Sequence, residues 1–331
     1  MGKIIAVAVD VLDGNNRALI REKADRYGYQ AVFCTKDSPD ALQEAEIIYA
    51  GMEVLSYGRE LKHVRWFHAC SAGVDAFLRP GILPEGCLLS NSSGAYGVSV
   101  AEHGFTMTMM LLRRMPEYME RAKAHIWGHD LKQGSMFGSR ITVLGTGDIG
   151  LNYASRARAF CPSEINAVNR SGVIRPGGSD AVAQNPESLF DSVRKAEDLD
   201  ELLPETDILF MSLPGTDRTY HMINRERLAL LPDSAVIVNV GRGNSIDQAA
   251  LCEALNAGKL AGAGLDVFEK EPVPEGDPVW TAKNLLITTH CAGWLLADHT
   301  RRKNVRIFCE NLEEYCTNGT LLREVDRSIG Y

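Results

Sequence analysis

Five stretches of the chain hold residues whose types and spacing could do chemistry. The first is Gly145-Thr146-Gly147-Asp148-Ile149-Gly150, a G-x-G-x-x-G between the apolar run Ile141–Leu144 and the helical pattern Leu151–Phe160. Such a loop has a use for each glycine. The first permits a tight turn, the second lets a pyrophosphate approach the backbone, and the third lets helix and strand pack closely. The helix start beyond it presents N–H groups and a positive dipole end to phosphates, which adds Asp148 and Ile149 to the contacts. An ordinary glycine-rich turn is the plain alternative; the strand–loop–helix setting favours a dinucleotide.

The next strand pattern, Ile165–Val168, ends in Asn169-Arg170-Ser171. A carboxylate there would accept from both hydroxyls of the adenosine ribose and favour NAD. None is present, and an Arg with two neutral polar neighbours suits a 2′-phosphate. NADP is therefore the expected cofactor, with NAD as the alternative in which Arg170 only stacks on the adenine.

Three later segments carry an Arg, an acid and a His. Val238–Asp247 runs from a strand pattern into a small-residue turn that holds Arg242. Gly264–Pro272 leads to Glu271, and Ile287–Trp294 carries His290. A hydride passed from a nicotinamide to a ketone leaves an alkoxide that needs a proton. A His charged near neutral pH can give it. A carboxylate on the other ring nitrogen would raise the imidazole's pKa and orient it. A guanidinium would clamp a substrate carboxylate and polarise the keto oxygen. Taken singly, Arg242 reads as half of a surface ion pair, His290 as a core histidine and Glu271 as a solvated loop acid. Their place at successive strand ends favours one active site.

These residues need a scaffold, and 331 residues suggest about two domains. Five short apolar runs precede residue 92: Ile4–Val9, Ala31–Cys34, Glu46–Ala50, Val64–Ala69 and Cys87–Ser90. Six more follow residue 140: Ile141–Leu144, Ile165–Val168, Ile208–Ser212, Ala235–Val240, Gly262–Val267 and Leu285–Thr288. Helical patterns separate most of them, the rhythm of βα units on parallel sheets. The expected fold is α/β: two doubly wound parallel-sheet domains, one Rossmann-type for the cofactor and one flavodoxin-like for the substrate. A long helix, Val98–Arg121, should bridge them. The tail Asp298–Cys316 is helical by pattern and should return to the first domain. The expected boundaries are 1–100 with 292–331, and 101–291.

Charge and composition narrow the partners. Lys plus Arg total 35 and Asp plus Glu 43, a net charge of −8. An acidic chain without a basic run has no general attraction to nucleic acid or an anionic membrane. No apolar stretch approaches a membrane span, since Phe105–Leu112 stops at Arg113-Arg114. The eight cysteines show no C-x-x-C spacing and no export signal precedes them, which points to a reducing cytoplasm. His125 and His129 stand four apart, but Gly128 interrupts them, so they read as a surface pair and no metal is expected. Met107, Met109 and Met110 read as helix packing. Ser71, Ser92 and Ser93 lack a nucleophile-elbow setting.

With the glycine loop, the three later segments resemble the D-isomer-specific 2-hydroxyacid dehydrogenase family over essentially the whole chain. The family includes D-lactate, D-glycerate, phosphoglycerate and glyoxylate or hydroxypyruvate enzymes. The resemblance implies that Arg242 binds substrate, Glu271 orients the imidazole and His290 donates the proton. It places Asp266 on the nicotinamide carboxamide, and Ser212, Leu213, Pro214, Val240, Gly241 and Gly293 along the cofactor. Ser71-Ala72-Gly73 matches the loop whose amides hold the substrate carboxylate, and Tyr96 and Trp294 are the pocket candidates. The family is usually homodimeric. Its formate-oxidising relatives carry Gln beside the His, so Glu271 argues against that activity. Some corepressors keep the same three residues, which leaves a dinucleotide-sensing binding protein as the rival.

Overall fold

The computed structural model describes residues 3–58, 60–174 and 185–327. The chain divides into two compact units, Met1–Tyr96 with Trp294–Tyr331, and Gly97–Gly293. Among the described residues no helix is long and apolar enough to cross a membrane.

The first unit is built on β1 (Lys3–Ala8), α1 (Gly14–Arg26), β2 (Tyr29–Phe33), α2 (Ala41–Glu44), β3 (Ile47–Ala50), β4 (Trp66–Ala69) and β5 (Leu88–Asn91). The strands pair in parallel in the order β2-β1-β3-β4-β5, the flavodoxin-like order expected for the substrate domain. The central strands are buried on both faces, so their sequences run apolar without alternation. The chain's last helix, Asp298–Asn318, completes the unit. Lys23 of α1 pairs with its Glu313 at 3.0 Å. Tyr49 of β3 stacks on its Phe308 with centroids 4.4 Å apart, and the Tyr49 hydroxyl donates to Asn304 Oδ1 at 2.5 Å.

A polar relay crosses this buried sheet. Trp66 Nε1 donates to Ser90 Oγ at 2.8 Å. Ser90 Oγ lies 2.7 Å from Nδ1 of His68, and Nε2 of His68 lies 3.1 Å from Ser92 Oγ. Ser92 Oγ in turn donates to the Ala69 carbonyl. Each hydroxyl has one hydrogen to give, so the relay closes only with His68 neutral and its proton on Nε2. Burial, helped by the charge of Arg323, pushes His68 down to about 3.

The second unit opens with α3 (Gly97–Leu112) and α4 (Met115–Lys123). One continuous helix was expected over Val98–Arg121, and the structure breaks it. Arg114 takes a left-handed φ of 55°. Pro116 has no N–H to return to the preceding turn, and the Leu112 carbonyl accepts from Gly134 N instead, at 2.8 Å. Then come β6 (Arg140–Leu144), α5 (Asp148–Arg158), β7 (Glu164–Asn169), β8 (Ser192–Lys195), α6 (Leu199–Leu202), β9 (Ile208–Met211), α7 (Arg225–Leu230), β10 (Val236–Asn239), α8 (Gln248–Asn256), β11 (Gly262–Leu265) and β12 (Leu285–Ile287).

All seven strands are parallel, in the order β12-β11-β10-β9-β6-β7-β8. This is the dinucleotide-binding winding with one strand added beyond β11. Six of these strands carry the apolar runs expected from sequence, and β8 is the one that does not. Ser-Val-Arg-Lys holds a single apolar residue because it is a half-exposed edge strand that, among the described residues, pairs only with β7. The interior strands β9, β10 and β11 are buried throughout. Met107 packs inside α3, as its spacing suggested.

Candidate active site

The second unit gathers its reactive side chains at the carboxyl ends of its strands, where doubly wound sheets take ligands. β6 delivers the glycine loop. Gly145 sits at a φ of +95°, and a Cβ there would stand 2.9 Å from the Ser212 carbonyl oxygen. A Cβ on Gly150 would stand 1.9 Å from the Gly145 carbonyl oxygen, so only glycine lets α5 start this close to β6. At Gly147 the corresponding space is open. The loop is therefore a bare backbone cradle leading into a helix N-terminus, with Ile149 in its first turn, and it fits a pyrophosphate.

Asp148 spends its side chain inside the protein. Its carboxylate accepts from Gly97 N at 2.6 Å and from Asn152 Nδ2 at 3.1 Å, tying the start of α5 to the start of α3. Asn169 is similarly engaged. It donates to Thr146 Oγ1 at 2.8 Å and accepts from the N–H groups of Ser171 and Gly172. That shapes the turn from which Arg170 and Ser171 project, both exposed. At the end of β9, Ser212 Oγ donates to the Gly145 carbonyl at 3.2 Å. Leu213 is buried and Pro214 exposed beside it.

Beyond β10, Val240 and Gly241 are buried and Arg242 is half-buried, with Nη1 donating to the Gly241 carbonyl at 2.9 Å. The turn is held by Asn239, which is fully buried. Its Nδ2 donates to the Arg242 carbonyl and its Oδ1 accepts from Gly241 N. Asn239 was not singled out from sequence. Its signal was an amide side chain closing an otherwise apolar strand.

Asp266 follows β11 at 1% exposure. Three donors converge on its carboxylate: Thr288 Oγ at 2.6 Å, Cys291 N at 2.9 Å and Ala292 N at 3.1 Å. Its carbonyl also accepts from His290 N at 2.7 Å. The buried acid thus fixes the loop that presents His290. His290 itself takes a left-handed φ of 51°, a conformation L side chains rarely hold unless the surroundings impose it.

The decisive contact lies between Nδ1 of His290 and Oε2 of Glu271, 2.6 Å apart. Glu271 Oε1 accepts from Phe268 N at 2.9 Å, so the carboxylate is fixed at both oxygens. The hydrogen bond that the imidazole gives to Glu271 raises its pKa against the opposing effect of burial. Burial alone would raise Glu271. The bonds from His290 and Phe268, and the charges of His290 and Arg242, hold it below the ordinary range instead. The His290 side chain remains half exposed. Its Nε2 edge can face an incoming molecule while Nδ1 is held.

In the first unit, Ser71 Oγ donates to the Gly73 carbonyl at 2.6 Å, and the Ala72 carbonyl accepts from Asn91 Nδ2 at 2.9 Å. The Tyr96 hydroxyl points inward. It donates to the Cys70 carbonyl and accepts from Asn304 Nδ2, and burial pushes it far above the usual phenol range. Trp294 is 60% exposed. The structure therefore brings Arg242, Glu271, Asp266 and His290 together in the second unit, alongside the glycine loop. Gly293 closes the same loop.

A model described as D-isomer specific 2-hydroxyacid dehydrogenase, NAD binding domain, matches residues 105–292. A glyoxylate/hydroxypyruvate reductase B of Serratia proteamaculans is 32% identical over 333 residues, covering 95% of this chain and 98% of that protein. The crystal structure of a D-isomer specific 2-hydroxyacid dehydrogenase family protein from Aeromonas salmonicida superposes with a TM-score of 0.80 at 27% identity, covering 98% and 99% of the two chains. An NADPH-dependent glyoxylate/hydroxypyruvate reductase from Sinorhizobium meliloti, solved with NADP and sulfate, shares the fold with a TM-score of 0.76 at 23% identity, over 99% and 100%.

Proposed function

This chain belongs to the D-isomer specific 2-hydroxyacid dehydrogenase family, and we propose that it reduces small 2-keto acids to D-2-hydroxy acids, with NADPH preferred over NADH. The observation that carries this reading is the 2.6 Å pair of Glu271 and His290 on the sheet that also holds the glycine loop. When bound, the reduced dinucleotide supplies the hydride. Gly145, Gly147, Ile149 and Gly150 would hold its pyrophosphate, with Asp148 contributing its backbone N–H. Arg170, with Asn169 and Ser171, would meet the ribose 2′-phosphate. Ser212, Leu213, Pro214, Val240, Gly241 and Gly293 would line its remaining length.

Arg242 takes the substrate carboxylate and turns its positive charge toward the keto oxygen, where negative charge develops. His290 gives the proton on Nε2 to that oxygen as the hydroxy acid forms. Glu271 keeps the ring protonated and aligned. Asp266, whose carboxylate already accepts from Thr288, Cys291 and Ala292, serves the nicotinamide end through its remaining acceptor capacity. Ser71, Ala72, Gly73 and Trp294 keep the substrate-binding role the resemblance implies. Tyr96 supports the Cys70 carbonyl beside that loop.

Glyoxylate and hydroxypyruvate are the first substrates to test, since the Serratia relative is named for them. A homodimer is supported by the apolar side chains left at the surface between α4 and β6, where Ile126 is 58%, Trp127 98% and Phe137 76% exposed. Eight free cysteines fit a reducing compartment such as the cytoplasm. The test is a panel of 2-keto acids assayed with NADPH and NADH in parallel. Oxidation of NADPH by one of these acids, yielding the D-hydroxy acid, supports the reading. Tight dinucleotide binding with no turnover on any of them would replace it with a sensing role.

A further inference from the structure

We propose that His103, Asp266 and Cys291 form an inhibitory site for a thiophilic divalent cation of the zinc class. One ligand atom from each residue lies within 4.8 Å of the other two. His103 Nε2 stands 3.7 Å from Asp266 Oδ1. Nitrogen, oxygen and sulfur bound to zinc at 2.0–2.3 Å sit roughly 3.3–3.8 Å apart around a tetrahedron, so the His103–Asp266 spacing already fits and the Cys291 sulfur closes in from within 4.8 Å. An imidazole, a carboxylate and a thiol together suit zinc and reject magnesium or calcium, which take oxygen alone. Three protein ligands also leave a fourth position for water.

The three residues come from distant parts of the chain, and the fold brings them together. His103 comes from α3, Asp266 from the end of β11, and Cys291 from the loop after β12. Asp266 is buried while Cys291 is exposed, so a cation can enter from solvent at the thiol. His103 Nε2 lies 2.9 Å from Thr288 Oγ. The Thr288 hydroxyl already gives its one hydrogen to Asp266. Nε2 of His103 therefore carries the ring proton, which must move to Nδ1 before Nε2 can bind a cation. The Cys291 thiol loses its proton to solvent as its sulfur binds.

Occupancy would act on the neighbouring chemistry. Asp266 holds the N–H groups of Cys291 and Ala292 that fix the His290 loop. A dication drawing on that carboxylate loosens these bonds and opposes the charged imidazole beside it. The binding stands on geometry alone. The inhibition rests on the role given to His290.

The test is calorimetric titration of the metal-free protein with zinc, with turnover followed over the same concentrations. The expected result is one zinc per chain, a released proton, and loss of turnover that tracks saturation. Cys291→Ser and His103→Gln should each weaken zinc binding by more than about tenfold and shift the inhibition equally, with turnover retained in chelator. In the unaltered protein, cobalt at this site gives a thiolate-to-cobalt charge-transfer band, which reports the sulfur without a variant. No binding, affinity unchanged in either variant, no cobalt–thiolate band, or saturation with turnover intact overturns the proposal. Should no 2-keto acid be turned over at all, the titration and the cobalt band still test the site.

Discussion

Glu271 holds Nδ1 of His290 at 2.6 Å through one carboxylate oxygen while the other accepts from Phe268 N. The pair makes the imidazole a stronger base than a free histidine, with its ordinary value of 6.5 raised. In the direction of ketone reduction the charged ring is the active form. The rate should therefore persist past that value and fall as pH rises through the raised one. Glu271→Gln leaves an amide oxygen that can accept from Nδ1 but removes the negative charge that strengthens this bond, so the alkaline limb should move to lower pH. A profile that stays in place would make Glu271 a bystander. His290→Ala should lower kcat far more than it raises KM.

Arg242→Ala should damage both kcat and KM for the keto acid, because one guanidinium both anchors the carboxylate and stabilises the developing oxyanion. The loss of a charge-assisted bond is about 1.5–3 kcal/mol, or roughly ten- to hundredfold in kcat/KM before the effect on charge development is added. Steady-state kinetics with glyoxylate or hydroxypyruvate check this. Near-normal constants would leave Arg242 as a loop residue.

Asp266→Asn exchanges an acceptor for an N–H pair against three donors, the Thr288 hydroxyl and the N–H groups of Cys291 and Ala292. A buried mismatch of this kind costs about 1–3 kcal/mol. The thermal midpoint should fall, and kcat should fall with it as the His290 loop loses its anchor. Unchanged stability would show that the loop is held by other means.

Arg170→Ala should raise KM for NADPH by about tenfold or more, the scale of one charge-assisted bond to phosphate. NADH has no 2′-phosphate, so its KM should move little. Equal changes for both dinucleotides would return Arg170 to stacking on the adenine.

His68 makes the first unit acid-sensitive. Its folded value is held at about 3 against 6.5 when free. Below 6.5 the unfolded chain takes up a proton that the folded chain refuses. Stability is complete above that value and declines as pH falls toward 3, by up to ~1.4 kcal/mol per pH unit. Thermal unfolding across that window should show this slope, and His68→Gln should flatten it.

Much of this arrangement was legible in the sequence because backbone and pattern dictate it. The parallel strands of both units read as short apolar runs since they are covered on both faces. The glycine loop was visible because Gly150 leaves no room for a Cβ. Arg242, Glu271 and His290 were found by the strand ends that precede them and by family resemblance. Supporting contacts were less visible. Asp148 and Asn169 stand where cofactor contacts are expected, but nothing in their positions shows that their side chains are largely engaged with protein groups, Gly97 for one and the following turn for the other. A loop residue's sequence position tells which end of the sheet it occupies and not which way its side chain turns. Strand β8 escaped notice because an edge needs little apolar character. The helix break at Arg114 depends on a backbone angle and a carbonyl claimed by Gly134, neither of which has a periodic signature.

The first unit is assembled from two pieces of chain separated by the whole of the second. On a ribosome, the second unit is complete in sequence while the first still lacks its closing helix. Until Asp298–Asn318 emerges, Tyr49 has no Phe308 to stack on and the Cys70 carbonyl lacks the Asn304 amide. The early strands must therefore wait as an open sheet with an apolar face uncovered. That interval, rather than the finished enzyme, is where this chain is most exposed to aggregation. It is also where a chaperone would have most to protect.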